Sequence, residues 1–253
     1  MKGLTSNKLK VIAIILMICD HIGYYFVSYI SKEAFDVLRF FGRMAMPIFA
    51  FLIVQGFFYT KNIKKYIFKL FVTATLFQLA LFILGIINQA YVPNYYIVIN
   101  TYLNILYSFV LCLLLISLVD KEYIVKNKIV NFLIKLVGVL AIINVYFIVD
   151  IELGLRVLVS VFGMYIAEKV KRKWKNNEIS LMIIFFTLII ALFTDMKNFA
   201  FNAPSVISIL FIADYNGKRG LNKKWLKNMF YIIYPMHHVI LYIIALFITY
   251  KLR

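Results

Sequence analysis

The chain is poor in cysteine, in proline and in acidic side chains. Its 253 residues include two cysteines, four prolines and 11 acidic residues against 28 basic ones. Because Cys19 and Cys112 both lie within apolar stretches, they support neither a disulfide framework nor a cysteine-based metal site. The sequence also lacks the nucleophile elbow of serine hydrolases, a P-loop, a dinucleotide-binding fingerprint and a zinc-protease motif. It therefore favours none of those chemistries, and we expect no metal.

Apolar residues are abundant instead. They make up 64% of the chain, while charged residues make up only 15% and the net charge is +17. A soluble domain is about half apolar and could not bury this much more apolar surface. The basic residues stand in short runs between apolar stretches, which is typical of membrane proteins and differs from the basic face of a nucleic-acid-binding domain. We therefore predict an all-α, polytopic transmembrane bundle that forms one domain over residues 1–253, contacts lipid and binds no nucleic acid.

The apolar stretches are long enough to cross a bilayer, for which about 20 residues are needed. The sixth and eighth are short, and a re-entrant geometry remains an alternative for either of them. The nine predicted segments are 9–30, 36–59, 66–87, 98–119, 128–149, 153–168, 178–195, 200–214 and 228–250.

Lysine and arginine are concentrated in every second connection between these segments. Because such residues favour the cytoplasmic side, the alternation predicts an odd number of spans in a bacterial-type plasma membrane. The N-terminus is then cytoplasmic and the C-terminus lies outside. The sequence does not determine the oligomeric state. The enriched connections hold residues 2–10, 61–65, 121–128, 169–175 and 218–227.

Several ionisable side chains interrupt the apolar segments. A charge at mid-bilayer costs at least ~2.5–3.5 kcal/mol on insertion scales, so each one needs a partner or a function. Asp20 and His21 point about 100° apart on a helix, and each must therefore find its partner on another helix. In the second segment Arg39 and Arg43 lie one turn apart, and Pro47, one turn further on, is expected to bend the helix.

The remaining polar candidates lie further along the sequence. His237 stands near the middle of the last segment, whereas its neighbour His238 points elsewhere and is predicted to be structural. A structural alternative stays open for all of these groups, because a buried histidine can be an interhelical hydrogen-bond partner and the arginines can be counter-ions of an aspartate. The predicted substrate-binding residues are Asp150, Arg156, Asn104 and Tyr234.

These residue types suit acyl transfer. An imidazole in an apolar site stays neutral near neutral pH and can act as a general base toward an amine or hydroxyl acceptor. Attack on an activated acyl group creates an oxyanion, and a guanidinium in a low-dielectric site can stabilise it. The sequence therefore offers His21 as a base and Arg39 or Arg43 as an oxyanion stabiliser.

Short motifs near both ends of the chain carry a family resemblance. Together they resemble the signatures of the TraX family of membrane acyltransferases, in the right order and over nearly the whole chain. The family includes the enzyme that N-acetylates conjugative pilin subunits, and it is similar to a wider superfamily of transmembrane acyltransferases that use acyl-CoA. The motifs are CDHIG at 19–23, RFFGRMAMPIFAFL at 39–52, GF at 56–57 with TKN at 60–62, NGKRG at 216–220 and YPMH at 234–237.

The resemblance implies a set of site residues. The superfamily's pattern of a basic residue, a ten-residue spacer and a histidine is matched by Lys10 and His21. By this resemblance the catalytic residues are His21, Asp20, Arg39, Arg43 and His237. The expected co-substrate is acetyl-CoA, and basic side chains of the cytoplasmic face would bind it, although simple topology charge is an equal alternative for them. These predicted cofactor-binding residues are Lys10, Lys218, Arg219 and Lys223.

The functional hypothesis is therefore an acyltransferase that moves an acetyl group from acetyl-CoA to a peptide, glycan or lipid-linked acceptor. A transporter or small-molecule channel with an intramembrane Asp, His and Arg pathway is the alternative. A catalytically inactive relative is a third possibility, because Gln55 stands where the family often has a glutamate, and Gln78 lies where it has a typical acidic stretch.

Overall fold

The structure, a computed structural model, describes residues 3–91, 102–221 and 224–251. In these three stretches the chain forms eleven α-helices, two 3-10 turns and no strand beyond two isolated bridges. The helices are α1 (Ser6–Tyr25), α2 (Lys32–Gly42), α3 (Ala45–Tyr59), α4 (Ile63–Tyr91), α5 (Ile105–Asp120), α6 (Lys128–Ile148), α7 (Gly154–Trp174), α8 (Asn177–Phe193), α9 (Phe199–Asn202), α10 (Ile209–Ala213) and α11 (Lys224–Lys251).

The prediction of an all-α membrane bundle is confirmed. Five helical stretches are long and apolar enough to cross a membrane, and α5 and α8 are shorter apolar helices. In its described residues each predicted segment coincides with helical structure, although 200–214 consists of short helical pieces and 98–101 lie outside the described residues. The helices α1 and α7, in the predicted segments 9–30 and 153–168, are not among the five. The five long stretches are Lys32–Tyr59, Ile63–Ile87, Lys128–Ile148, Met196–Ala213 and Tyr231–Lys251.

The second predicted segment differs from expectation, because it is two helices. The first, α2, ends at Gly42 and α3 begins at Ala45, so the helix is interrupted at Arg43 and Met44. Pro47 then lies in the first turn of α3, where its missing N–H removes no helical hydrogen bond. Arg43 and Met44 keep right-handed helical dihedral angles, so the helix is interrupted only locally, near the position where the sequence predicted a bend, and Arg43 lies at this junction.

The bundle is built around α3. Every residue from Ala45 to Gln55 is buried, and this helix packs against α1, α5 and α7. The opposite case is α6, where among the described side chains only Asn131 and Tyr146 are buried. A helix that exposes apolar side chains on nearly all of its surface is suited to contact lipid, since lipid tails are as apolar as leucine.

Candidate functional site

The carboxylate of Asp20 joins α1 to both arginines of the second segment. Its Oδ2 accepts a hydrogen bond from Arg39 Nη1 at 2.9 Å and another from Arg43 Nη2, while Oδ1 accepts one from Arg43 Nε at 3.0 Å. The helices approach closely here, because a Cβ on Gly42 would stand 2.6 Å from the Asp20 Cα. Glycine at this position lets α2 bring its two guanidiniums onto the carboxylate.

Aromatic rings cover this ion cluster. Phe201 of α9 lies 5.0 Å from the guanidinium carbon of both Arg39 and Arg43, a cation–π geometry. Even so, Arg39 Nε is buried without a hydrogen-bond acceptor among the described residues. One donor of the cluster therefore stays available to an incoming group.

The three histidines form a second cluster between α1 and α11. The His21 ring centroid lies 4.9 Å from that of His237 and 4.0 Å from that of His238. His21 Nδ1 is 2.8 Å from the Met17 carbonyl oxygen, which can only accept, so this nitrogen carries the proton. His237 Nδ1 likewise donates to the Ile233 carbonyl oxygen at 3.0 Å.

These bonds fix the roles of the other ring nitrogens. The Nε2 of His237 is an acceptor that lies 3.2 Å from the Nδ1–H of His21. The Nε2 of His21 is then the basic nitrogen, as a general base requires. His238 bonds through Nδ1 to the Tyr25 hydroxyl at 2.9 Å, and its buried Nε2 has no partner among the described residues.

The same cluster is where a metal ion could be held. One ring nitrogen from each histidine lies within 4.8 Å of one from each of the others. Three imidazoles with Nδ1 hydrogen bonds resemble the donor set of a zinc site, although two nitrogens on one tetrahedral zinc are only about 3.3 Å apart. The predicted absence of a metal remains a prediction.

Both clusters face one cavity of about 270 Å³. It brings together the predicted residues Asp20, His21, Arg39, Arg43, Asp150, Arg156 and Tyr234. The other wall residues are Met17, Tyr24, Gly42, Ala45, Met46, Phe49, Tyr102, Ile105, Phe109, Ile151, Glu152, Leu153 and His238.

The cavity floor is a loop that precedes α7. It is held by backbone bonds from Leu103 N–H to the Asp150 carbonyl and from Glu152 N–H to the Leu103 carbonyl. Leu153 has φ 55°, a left-handed conformation that is unfavourable for leucine and is often found at functional sites. This turn starts α7 at Gly154 and places Arg156 on the cavity wall.

Glu152 in this loop is in an unusual environment. Its Oε2 accepts a hydrogen bond from Ile105 N–H at 3.2 Å. Burial raises the pKa of Glu152 from 4.5 to about 7, and that hydrogen bond only partly opposes the effect. The cavity therefore holds a carboxyl group that exchanges a proton near neutral pH.

Other predicted residues lie away from the cavity wall. The side chain of Asn104 is fully buried, donates to the Ala74 carbonyl and Gln78 Oε1, and caps α5 through Leu106 N–H. Its bonds describe a structural residue rather than one that faces a ligand. His237 does not line the cavity, but it hydrogen-bonds to His21 and its ring contacts those of His238 and Tyr234.

The predicted cofactor-binding residues gather at the N-terminal end of α1. There the carbonyl oxygens of Lys218 and Arg219 accept hydrogen bonds from Ser6 and Asn7 N–H, which α1 leaves free. The side chains of Lys218 and Arg219 are exposed, and the charge of Arg219 acts on Lys10. None of the three lines the described cavity, and Lys223 lies outside the described residues.

Sequence reasoning missed part of the wall. His238, predicted to be structural, makes an edge-to-face contact with the ring of His21 and lines the cavity. Tyr24, Tyr102 and Glu152 were not chosen either. The available signal was the position of Glu152 beside Asp150 and close before Arg156, whereas tyrosines at helix ends look like ordinary interfacial residues.

Comparisons with known proteins give one family. The family model described as TraX protein matches residues 5–245 of the chain. "Probable fimbrial assembly protein FimC, serogroup H1" of Dichelobacter nodosus is 42% identical over 66 residues, which are 26% of this chain. The match covers 27% of that relative's own length. No solved structure matches the chain.

Proposed function

Because this chain belongs to the TraX protein family, we propose that it is a membrane acyltransferase that moves an acetyl group from acetyl-CoA to an amine or hydroxyl of an acceptor. Peptide, glycan and lipid-linked acceptors all suit the chemistry. The likeness to a fimbrial assembly protein favours a peptide acceptor, such as a fimbrial subunit.

One observation carries the proposal. His21, whose Nδ1 is held by the Met17 carbonyl, lines the same cavity as the guanidiniums of Arg39 and Arg43. A base with a fixed tautomer and a nearby buried cation are the two groups that acyl transfer to a neutral nucleophile needs. His237 is a positioning residue, because it does not line the cavity and bonds to His21.

The reaction then proceeds by addition and elimination. The acceptor nitrogen or oxygen attacks the thioester carbonyl carbon, and His21 Nε2 takes the proton that the acceptor loses. The oxyanion accepts a hydrogen bond from the free Nε–H of Arg39, which is buried in a low-dielectric site. The C–S bond breaks as the carbonyl re-forms, and the imidazolium returns its proton to the CoA sulfur.

The co-substrate would enter from the N-terminal end of α1. The exposed side chains of Lys218 and Arg219, together with Lys10, provide positive charge for the CoA phosphates at that end. Lys10 and His21 are eleven residues apart, roughly 16 Å along the helix. The thioester end must therefore reach along α1 to the cavity. In the predicted topology the acceptor would approach from the opposite, outer face.

The test is acyl transfer by the purified full chain. We expect it to release free thiol from acetyl-CoA when a synthetic fimbrial-subunit peptide with a free amino terminus is added, and the peptide to gain one acetyl group by mass spectrometry. His21→Ala should abolish both signals, a loss of at least about 10²-fold for removal of a general base, without lowering the yield of membrane protein.

Asn144→Ala is the matched control, because Asn144 is an exposed polar residue of α6 whose side chain bonds only to the Leu140 carbonyl. This variant should keep full turnover. Retained activity in His21→Ala would remove His21 from the role of base. Uptake of an unmodified solute into proteoliposomes, with acetyl-CoA left intact, would favour the transporter alternative.

A further inference from the structure

Arg156 of α7 is a buried cation that forms no ion pair with any described residue, although the charges of Asp195 and Asp20 act on it from a distance. The residue is 4% exposed, and its Nε and Nη1 atoms are buried with no hydrogen-bond acceptor among the described residues. A guanidinium stays charged in proteins, and a buried charge without a partner strongly destabilises the fold. Since Arg156 lines the cavity, its natural partner is a group that enters the cavity.

The acidic residues of the wall do not supply that partner. Both oxygens of Asp20 are engaged by Arg39 and Arg43. Glu152 accepts a bond from Ile105 N–H, and no ion pair in the described part of the chain joins it to a guanidinium. Asp150 is exposed at the rim. Asp20 is therefore engaged by two guanidiniums, and no carboxylate of the described wall pairs with the third, Arg156.

Electrostatics inside the cavity strengthen this conclusion. Arg43 lies close enough to repel Arg156 in low-dielectric surroundings, whereas Asp195 and Asp20 attract it without forming an ion pair with it. An arginine kept in this state is suited to a carboxylate or a phosphate, whose oxygens match the planar set of N–H donors.

We propose that the cavity binds the anionic group of the acyl acceptor, a carboxylate or phosphate close to the acylated amine or hydroxyl, and that Arg156 is the residue that holds it. The identification of the ligand as an acyl acceptor rests on the proposed function. The existence of an anion site depends only on Arg156. Its role is specificity, because an acceptor without the anion leaves the arginine unpaired.

Binding is measured first, in the uncharged detergent dodecyl maltoside with the full chain. Glycine and glycinamide share an amine, and only glycine has a carboxylate; O-phosphoethanolamine and ethanolamine form the corresponding phosphate pair. We expect the anionic member of at least one pair to raise the thermal midpoint, and its neutral partner to have no effect. Added phosphatidylglycerol that gives the same Arg156-dependent rise would identify a lipid headgroup as the source of the anion.

Arg156→Gln should abolish the difference within each pair, and Arg156→Lys should retain part of it. Without any anion, Arg156→Met should unfold at a higher temperature than the wild type, because it removes an uncompensated charge. A structural arginine would give the opposite result, and a lower midpoint of Arg156→Met together with equal effects within both pairs would overturn the inference.

Turnover separates this inference from the proposed function. If acetyl transfer occurs, kcat/KM should favour the anionic member of a pair by at least tenfold in the wild type and by less than threefold in Arg156→Gln. If no acceptor is acetylated but the Arg156-dependent stabilisation persists, the anion site stands and the acyltransferase proposal fails. If acetylation occurs but neither the thermal midpoint nor kcat/KM favours the anionic compounds, the anion site is refuted and the acyltransferase proposal is not.

Discussion

Two carboxylate–arginine clusters lie in different parts of the bundle and have different surroundings. At the first, Asp20 binds Arg39 and Arg43, and the side chains of the three residues are only 11–14% exposed. At the second, Glu168 binds Arg172 at 2.7 Å and accepts a bond from Gln55 at 2.9 Å.

In the described part of the chain, the second cluster has no buried donor that lacks a hydrogen-bond partner. Its Arg172 side chain is 40% exposed and lies over the rings of Phe58 and Tyr59. The cavity wall includes Asp20 and both of its arginines, but no member of the Glu168 cluster. Charge that is fully paired and partly solvated is structural, whereas charge that is buried beside an open cavity with free donors is suited to binding and chemistry.

The same comparison bears on the idea of an inactive relative. Gln55 stands where the family resemblance leads us to expect a glutamate, yet its amide donates to Glu168 and it does not line the cavity. Gln78 bonds to Asn104 and so supports the start of α5. Neither glutamine takes a carboxylate away from the candidate site.

Replacing the carboxylate of each cluster, Asp20 or Glu168, should give the largest difference in the free energy of unfolding. Asp20→Asn leaves two buried guanidiniums without a counter-ion, and we expect a loss of about 3–5 kcal/mol in the free energy of unfolding. Glu168→Gln affects a pair that water screens on the arginine side, so about 1 kcal/mol or less is expected. Unfolding in a denaturing detergent, followed by circular dichroism, measures both variants.

Equal losses in the two variants would contradict this distinction between the clusters. If Asp20→Asn instead unfolds the chain outright, Asp20→Glu provides the graded change. It keeps the charge and lengthens the side chain by one methylene, and we expect it to retain more stability than Asp20→Asn.

A smaller effect is expected from closing the gap between the helices. In Gly42→Ala the new methyl group would stand 2.3 Å from the Asp20 Cβ and 2.6 Å from its Cα, so α1 and α2 must separate. Overpacking of this kind costs about 1–3 kcal/mol. The separation also lengthens the bonds between Asp20 and its arginines, and acetyl transfer should fall together with stability.

Gly138→Ala is the matched control for this change. Its methyl group would meet only the mobile end of the Leu118 side chain, at 2.6 Å, on the lipid-facing helix α6. We expect nearly unchanged stability and turnover. A loss in Gly138→Ala as large as that in Gly42→Ala would show that any added methyl is harmful, and the argument for a close approach at Asp20 would fail.

The sequence predicted the helices better than their contacts. Hydropathy located helices, of which five stretches are long and apolar enough to cross a membrane. The cost of a buried charge correctly indicated that Asp20 and His21 have partners on different helices, here α2 and α11. Periodicity alone does not give the rotation of one helix against another. For this reason His237 was preferred to His238, whereas the ring of His21 contacts both.

The rest of the cavity depends on non-local structure. The loop before α7 is fixed by its bridge between Leu103 and Ile151, residues that are far apart in the chain. This bridge positions Glu152 in the interior of the protein. A strand-like pairing of two short loops leaves no signal in the hydropathy of the sequence, so it could not be predicted. The local interruption at Arg43 was equally hidden, because Pro47 is compatible with either a bent helix or a new one.

The last comparison concerns the pH response of Glu152, which lines the cavity beside the first cluster, and of Glu168 in the second. Glu152 has a pKa of about 7 in the folded chain and an ordinary value of 4.5, so the folded state keeps its proton over a range where the unfolded chain has lost it. Stability therefore falls as pH rises from 4.5 to 7 and levels off above that range. We expect a decrease of about 2–4 °C in the unfolding midpoint for each kcal/mol involved.

Glu152→Gln should remove this decrease, while Glu168→Gln should leave it intact, because Glu168 belongs to the paired cluster. A wild-type decrease that persists in Glu152→Gln would mean that another group carries the proton and that the cavity floor holds no carboxyl titrating near neutral pH.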